Sequence, residues 1–154
     1  MKRAFIFIAL LTLLIIAGCA TRPPIGPVGS AHIHADFKAY VDGQPLDFAK
    51  REYMVKAPFV HIESMDGNTI HIHATGVIID DFFRTLGMRL TNECFKHPDG
   101  KYCTNEGKTL KFYVNGEPDE SYGNYVMRDL DKILISYGDE TPDELAQQLT
   151  TIAE

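Results

Sequence analysis

Positive charge is scarce in this chain. Its 154 residues carry 15 lysines and arginines against 21 aspartates and glutamates, a formal charge of −6 with histidines neutral. Setting aside Lys2 and Arg3 at the N-terminus leaves 13 basic side chains against the same 21, about −8. Such a deficit argues against nucleic acid or an anionic lipid surface as partner and makes cations the more natural guests. Cysteine is scarcer still. Of Cys19, Cys94 and Cys103, no two stand in the C-x-x-C spacing that tunes a thiol for exchange, and with His97 they match no zinc signature. No catalytic signature is recognisable, and 154 residues with 45% hydrophobic content suffice for one core rather than two.

What is present begins with a leader. "MKR" is a basic start, Ala4 to Gly18 is apolar apart from Thr12, and "IAGC" ends the run on small residues and Cys19. The segment resembles a bacterial lipobox, which implies a signal peptide of residues 1–18, cleavage before Cys19 and a diacylglyceryl thioether on its sulfur. An uncleaved anchor helix is the alternative, because the run approaches the ~17 residues that a membrane span needs. Either way a membrane-anchored, exported protein of the cell envelope is expected. Three prolines and two glycines in "ATRPPIGPVGS" make residues 19–29 a stiff tether. One globular domain should then occupy residues 30–154. In an oxidising compartment Cys94 and Cys103 are expected to form a structural disulfide across the turn-rich "FKHPDGKY".

Alternation of apolar and polar residues predicts strands. In "AHIHADFKAYV" (Ala31 to Val41) the odd positions are apolar and the even ones are His32, His34, Asp36, Lys38 and Tyr40. Asp42-Gly43 suits a two-residue hairpin turn that sets Val41 against Gln44 and Ala39 against Leu46. For Phe59 to Ser64 and Thr69 to Thr75, a three-residue loop at Asp66-Gly67-Asn68 keeps faces consistent, with Ile62 opposite Ile72, His61 opposite His73 and Glu63 opposite His71. Ile79, Phe82, Phe83 and Leu86 recur at helical spacing, with Gly87 at C′. Lys108 to Asn115 and Lys132 to Tyr137 alternate again, and "TPDELAQQLTTIAE" reads as a closing helix with Thr141 as N-cap, Pro142 at N1 and Glu144 at N3.

Two likenesses follow. "FKAYVDGQP" and "LKFYVNGEP" share Lys, Tyr, Val, Gly and Pro, as a reused strand-turn unit or as convergence on hairpin chemistry. The order strand, strand, helix, strand, short strand, strand from Phe59 to Tyr137 resembles the β-grasp, or ubiquitin-like, fold, and "FYVNG" with "YGNYVMRDLDKILISYG" is similar to its closing half. The expected class is therefore α+β: a β-grasp-like mixed sheet with one packed helix, an extra N-terminal β-hairpin and a C-terminal helix. The blocks "HIHADFKAYVDG", "HIHATG" and "ISYG" also resemble a family of short uncharacterised prokaryotic exported lipoproteins with H-x-H motifs, a resemblance that implies no particular activity.

Five of the six histidines, His32, His34, His61, His71 and His73, fall in three alternating runs. Residues i and i+2 of a strand point the same way about 7 Å apart, so each H-x-H pair can serve one ion while Ile33 or Ile72 stays in the core. Placing the first strand beside Thr69 to Thr75 would bring all five onto one face. Neutral imidazole favours Zn²⁺, Cu²⁺ and Ni²⁺, and adding Asp36 or Glu63 as ligand or base would also serve Fe²⁺ or Mn²⁺. The expectation is transition-metal binding, Cu or Zn, through the histidine cluster, against an ordinary polar sheet face as the plain alternative. A metal-dependent enzyme with Glu63 or Asp36 as base, a thiol-disulfide oxidoreductase or folding factor using Cys94 and Cys103, and an interaction module presenting a sheet edge are the other classes. His97 reads as a loop residue.

Overall fold

The computed structural model describes Arg22 and residues 24–153. The expected signal peptide and the lipid-bearing Cys19 lie outside the described residues. Among those residues no helix is long and apolar enough to cross a membrane. The fold is α+β. At its centre lies strand β1 (Ile33–Val41), which turns through Asp42-Gly43 into β2 (Gln44–Pro45). The turn residues have φ of 52° and 73°, the doubly left-handed geometry that twists with the strands and that Asp and Gly tolerate. Val41 opposes Gln44, and the Leu46 N–H donates to the Ala39 carbonyl at 2.8 Å, as the turn spacing predicts.

Strands β3 (Val60–His61) and β4 (Thr69–Ile72) come next, then helix α1 (Ile79–Thr85). The chain continues through β5 (Arg89–Leu90), β6 (Cys94–His97), β7 (Gly100–Cys103), β8 (Thr109–Val114), β9 (Glu117–Pro118) and β10 (Asp131–Gly138) to helix α2 (Pro142–Thr150). The main sheet runs β3-β4-β1-β10-β8-β9, with β2 on β1, and β5-β6-β7 forms a second sheet. Among the described strands, β1 and β10 are the parallel pair of the main sheet, Phe37 opposite Ile133 and Ala39 opposite Ile135.

The two faces of the main sheet are covered unequally. On one, Ala35, Phe37, Ile70, Ile72, Ile133 and Ile135 pack against Phe82 and Phe83 of α1 in the main core. Phe37 meets Phe82 at 5.2 Å between ring centroids, and Phe83 meets Phe95 at 5.1 Å. Burying each such side chain contributes about 1.5–3 kcal/mol. On the other face Leu145, Leu149 and Ile152 of the C-terminal helical segment rest on Tyr40, Tyr113 and Leu134. The capping box expected at Thr141 is formed: its Oγ1 accepts from the Glu144 N–H at 3.3 Å and the Glu144 carboxylate accepts from the Thr141 N–H at 2.8 Å. That end of the face is closed, whereas the end carrying the histidines is not.

The expected N-terminal hairpin forms, β1 with β2, and β1 is a central strand whose apolar odd face α1 covers. Four expectations are corrected. Strands β3 and β4 pair two residues out of the expected register, Val60 opposite Ile72 and His61 opposite His71. A two-residue shift keeps every side chain on its face. The loop is longer than three residues, with its left-handed residues at Ser64 and Met65. Gly67 serves a different need, since a Cβ there would strike the backbone of Phe48 and Ala49. The cysteine segment is a hairpin, β6 with β7, rather than a loop, and Cys94 and Cys103 are directly opposed and disulfide-bonded. His97 is accordingly the last residue of β6 and is buried beside Phe48 and Phe95.

Candidate metal centre

Three adjacent strands bring the histidines together. His34 opposes His71 across the β1–β4 pair, and His61 opposes His71 across β3–β4, so the three form a row perpendicular to the strands. His32 and His73 lie two residues from His34 and His71, just outside the ends of β1 and β4, with their rings beside the same row. The five rings close a circuit. Centroid separations are 5.2 Å for His32 and His34, 4.6 Å for His34 and His71, 6.0 Å for His71 and His61, 5.1 Å for His61 and His73, and 5.2 Å for His73 and His32. Ile33, Ile70 and Ile72, one residue off in each strand, turn to the opposite side and belong to or pack on the α1 core. Alternation, read from sequence alone, thus predicts the face.

The backbone around the ring is held from several directions. The His34 N–H donates to Asp129 Oδ1 at 3.0 Å, and the His34 carbonyl accepts from the Leu130 N–H at 2.8 Å. The His73 N–H donates to the Phe59 carbonyl at 2.9 Å, and the Gly29 N–H donates to the His73 carbonyl at 2.6 Å. Asp129 escaped the sequence reading, since a single carboxylate in an irregular loop carries no periodic signal.

His61 is the most enclosed of the five, 7% exposed. Its Nδ1 lies 2.8 Å from the Ala57 carbonyl oxygen. A carbonyl can only accept, so Nδ1 carries a proton, and in the neutral imidazole that leaves Nε2 as the acceptor. Glu63 Oε2 stands 3.4 Å from that same Nε2. Two acceptors facing each other at that distance call for a proton or a cation between them. This is also how a protein fixes a ligating imidazole, by bonding one nitrogen to a carbonyl and leaving the other for the ion.

Charge state favours ligation as well. Burial pushes the His71 imidazole below its ordinary pKa; Glu63 opposes this, and His34, His61 and His73 reinforce it. His73 is lowered first by burial and then by His61 and His32. Both rings are therefore neutral near pH 7, the form that binds metal.

Among the described residues, no three His, Cys, Asp or Glu side chains stand ready to hold a metal ion. The rings are gathered while their nitrogens do not yet converge. Two imidazoles sharing one tetrahedral ion at ~2.0–2.1 Å have centroids roughly 5 Å apart, a spacing that four of the five separations approach. Asp36 shares the face but is engaged with Thr69, whose hydroxyl donates to its Oδ1 at 3.0 Å. Cys94, Cys103 and His97 belong to the second sheet and contribute nothing to this circuit. No protein family, curated protein or solved structure matches the chain.

Proposed function

We propose that this is an exported protein, anchored in the cell envelope by a lipid on Cys19, that binds a transition metal ion, Cu or Zn, through His32, His34, His61, His71 and His73. One observation carries the reading: five imidazoles on and beside three neighbouring strands form a closed circuit, and the most enclosed of them has Nδ1 on a carbonyl and Nε2 facing a carboxylate. Glu63 joins as the oxygen donor or as the base that takes up a proton released on binding. Binding, buffering or delivery fits better than catalysis, because the histidine face is an open sheet surface. What supports a β-grasp-like reading of the scaffold is the strand order, with β4 and β10 flanking β1, β10 followed by β8, and α1 across one face.

The test is metal analysis and calorimetry on the full chain purified in detergent, titrated with Zn²⁺ and with Cu²⁺. The native protein should bind at least one ion near neutral pH. The His71→Ala, His73→Ala double variant should lose about a hundredfold or more in affinity, each lost ligand counting at least as much as an outer-shell partner's 10–100-fold. Equal affinity in the two proteins would remove the histidine circuit as the site.

A further inference from the structure

At the end of the sheet away from the histidines, α2 leans over the β1–β2 turn and flanks an open cavity of about 650 Å³, a size suited to a small molecule. Tyr40 forms part of its wall, with its hydroxyl tied to Thr151 Oγ1 at 2.9 Å. Four carboxylates line it, Asp42, Asp139, Glu140 and Glu144, against a single base, Lys108, which is paired with Asp42 at 2.7 Å. Acidity alone does not make a site. Two lining side chains add something specific.

The Glu140 side chain is 5% exposed, and its Oε2 accepts from Lys111 Nζ at 2.7 Å while its Oε1 has no partner. Gln148, 6% exposed on α2, likewise leaves its Oε1 without a partner. Burial alone would push the Glu140 carboxyl up, but Lys111, together with the residue's own backbone N–H and the nearby Ser136 hydroxyl, holds the group below the usual carboxylate range, so it stays charged. An orphaned buried acceptor forfeits on the order of 1–3 kcal/mol until a donor arrives.

Both orphans are acceptors, so the missing group is a donor, and the excess of carboxylates asks that it be positive. A cavity of this size has room for a cation larger than a metal ion, with its charge spread along the wall. An aromatic wall suits the carbon skeleton and the cation alike. We propose that this cavity is a binding site for a small organic cation, with a primary ammonium group donating to Glu140 Oε1 and Gln148 Oε1 and the carboxylates of Asp139 and Glu144 accommodating further positive charge.

The probe is putrescine, titrated calorimetrically into the full chain in detergent at physiological salt, with 1,4-butanediol as the neutral isostere and Ca²⁺ as the inorganic cation. Putrescine should bind while the other two do not. Gln148→Met, which keeps the volume and removes the acceptor, and Glu140→Gln should each weaken it about tenfold, as expected for one charge-assisted hydrogen bond. Should Glu140→Gln unfold by circular dichroism through loss of Lys111, Gln148→Met and the amide shifts of residues 139–151 on adding putrescine decide the matter. No putrescine binding, equal binding of the diol or of Ca²⁺, unchanged affinity in folded Gln148→Met, or shifts confined to the histidine end would overturn the proposal. None of these outcomes bears on metal binding by the histidines.

Discussion

At the scale of single residues, two imidazoles show how burial chooses a role. His61 is enclosed, with Nδ1 on a carbonyl and Nε2 facing Glu63. His97 is enclosed and only half satisfied: the Asp99 N–H donates to its Nδ1 at 3.2 Å, and its Nε2 has no partner. Burial lowers the pKa of His97, with Asp99 opposing and Lys50 reinforcing. Since the folded value lies below the unfolded one, near 6.5, the unfolded chain takes up the proton first as pH falls. Stability is then complete above about 6.5 and is lost as the medium becomes more acidic, down through the folded value. His71 and His73 act in the same direction. Urea midpoints measured near pH 7 and near pH 5 should therefore fall on acidification, and His97→Phe should flatten that fall; an unchanged slope would assign the loss elsewhere. Metal affinity should follow the same window, nearly constant above about 6.5 and dropping below it as protons displace the ion. Equal affinity on both sides of that window would exclude imidazole ligands.

Among elements, the repeated unit is the clearest case of sequence dictating form. "FKAYVDGQP" and "LKFYVNGEP" each give a strand, a left-handed pair and a two-residue return strand, with Tyr40 opposite Pro45 and Tyr113 opposite Pro118. Asn115 and Gly116 have φ of 54° and 90°, matching Asp42 and Gly43. Gly43→Ala and Gly116→Ala should each destabilise by about 1 kcal/mol in chemical denaturation, because a Cβ resists positive φ although neither position is crowded. Parity was legible wherever an apolar residue alternated with a polar one, and so the histidine face could be inferred before any coordinates. The loop between β3 and β4 was not. Ser64 and Met65 adopt left-handed backbone, which nothing in their side chains advertises, and Gly67 is needed for a close approach to a segment distant in sequence. The cysteine hairpin was hidden in the same way, since its strands are short and its turn residues dominate the composition.

For the whole molecule, the decisive fact absent from local pattern was which strands become neighbours. Parity says that His34 and His71 point the same way relative to their own strands; only the order β3-β4-β1-β10-β8 places them side by side. The disulfide belongs to the peripheral second sheet, so its contribution should be separable from the site. Replacing both Cys94 and Cys103 by Ala should lower unfolding free energy by about 2–3 kcal/mol through loss of loop constraint while leaving metal affinity unaltered in calorimetry. A parallel loss of affinity would mean that the two sheets are energetically coupled.

The segment ahead of β1 is fastened down early. Arg22 pairs with Asp81 at the start of α1, and the Gly26 N–H donates to the Thr75 carbonyl at 2.9 Å. Under the proposed lipidation of Cys19, only Ala20 and Thr21 lie between the acylated residue and Arg22, three Cα steps or at most ~10 Å of backbone. A leash so short forbids the domain from roaming above the bilayer. It would ride nearly flush with the headgroups, its attitude set by the Arg22 clasp, and any cargo it carries would change hands within that thin layer.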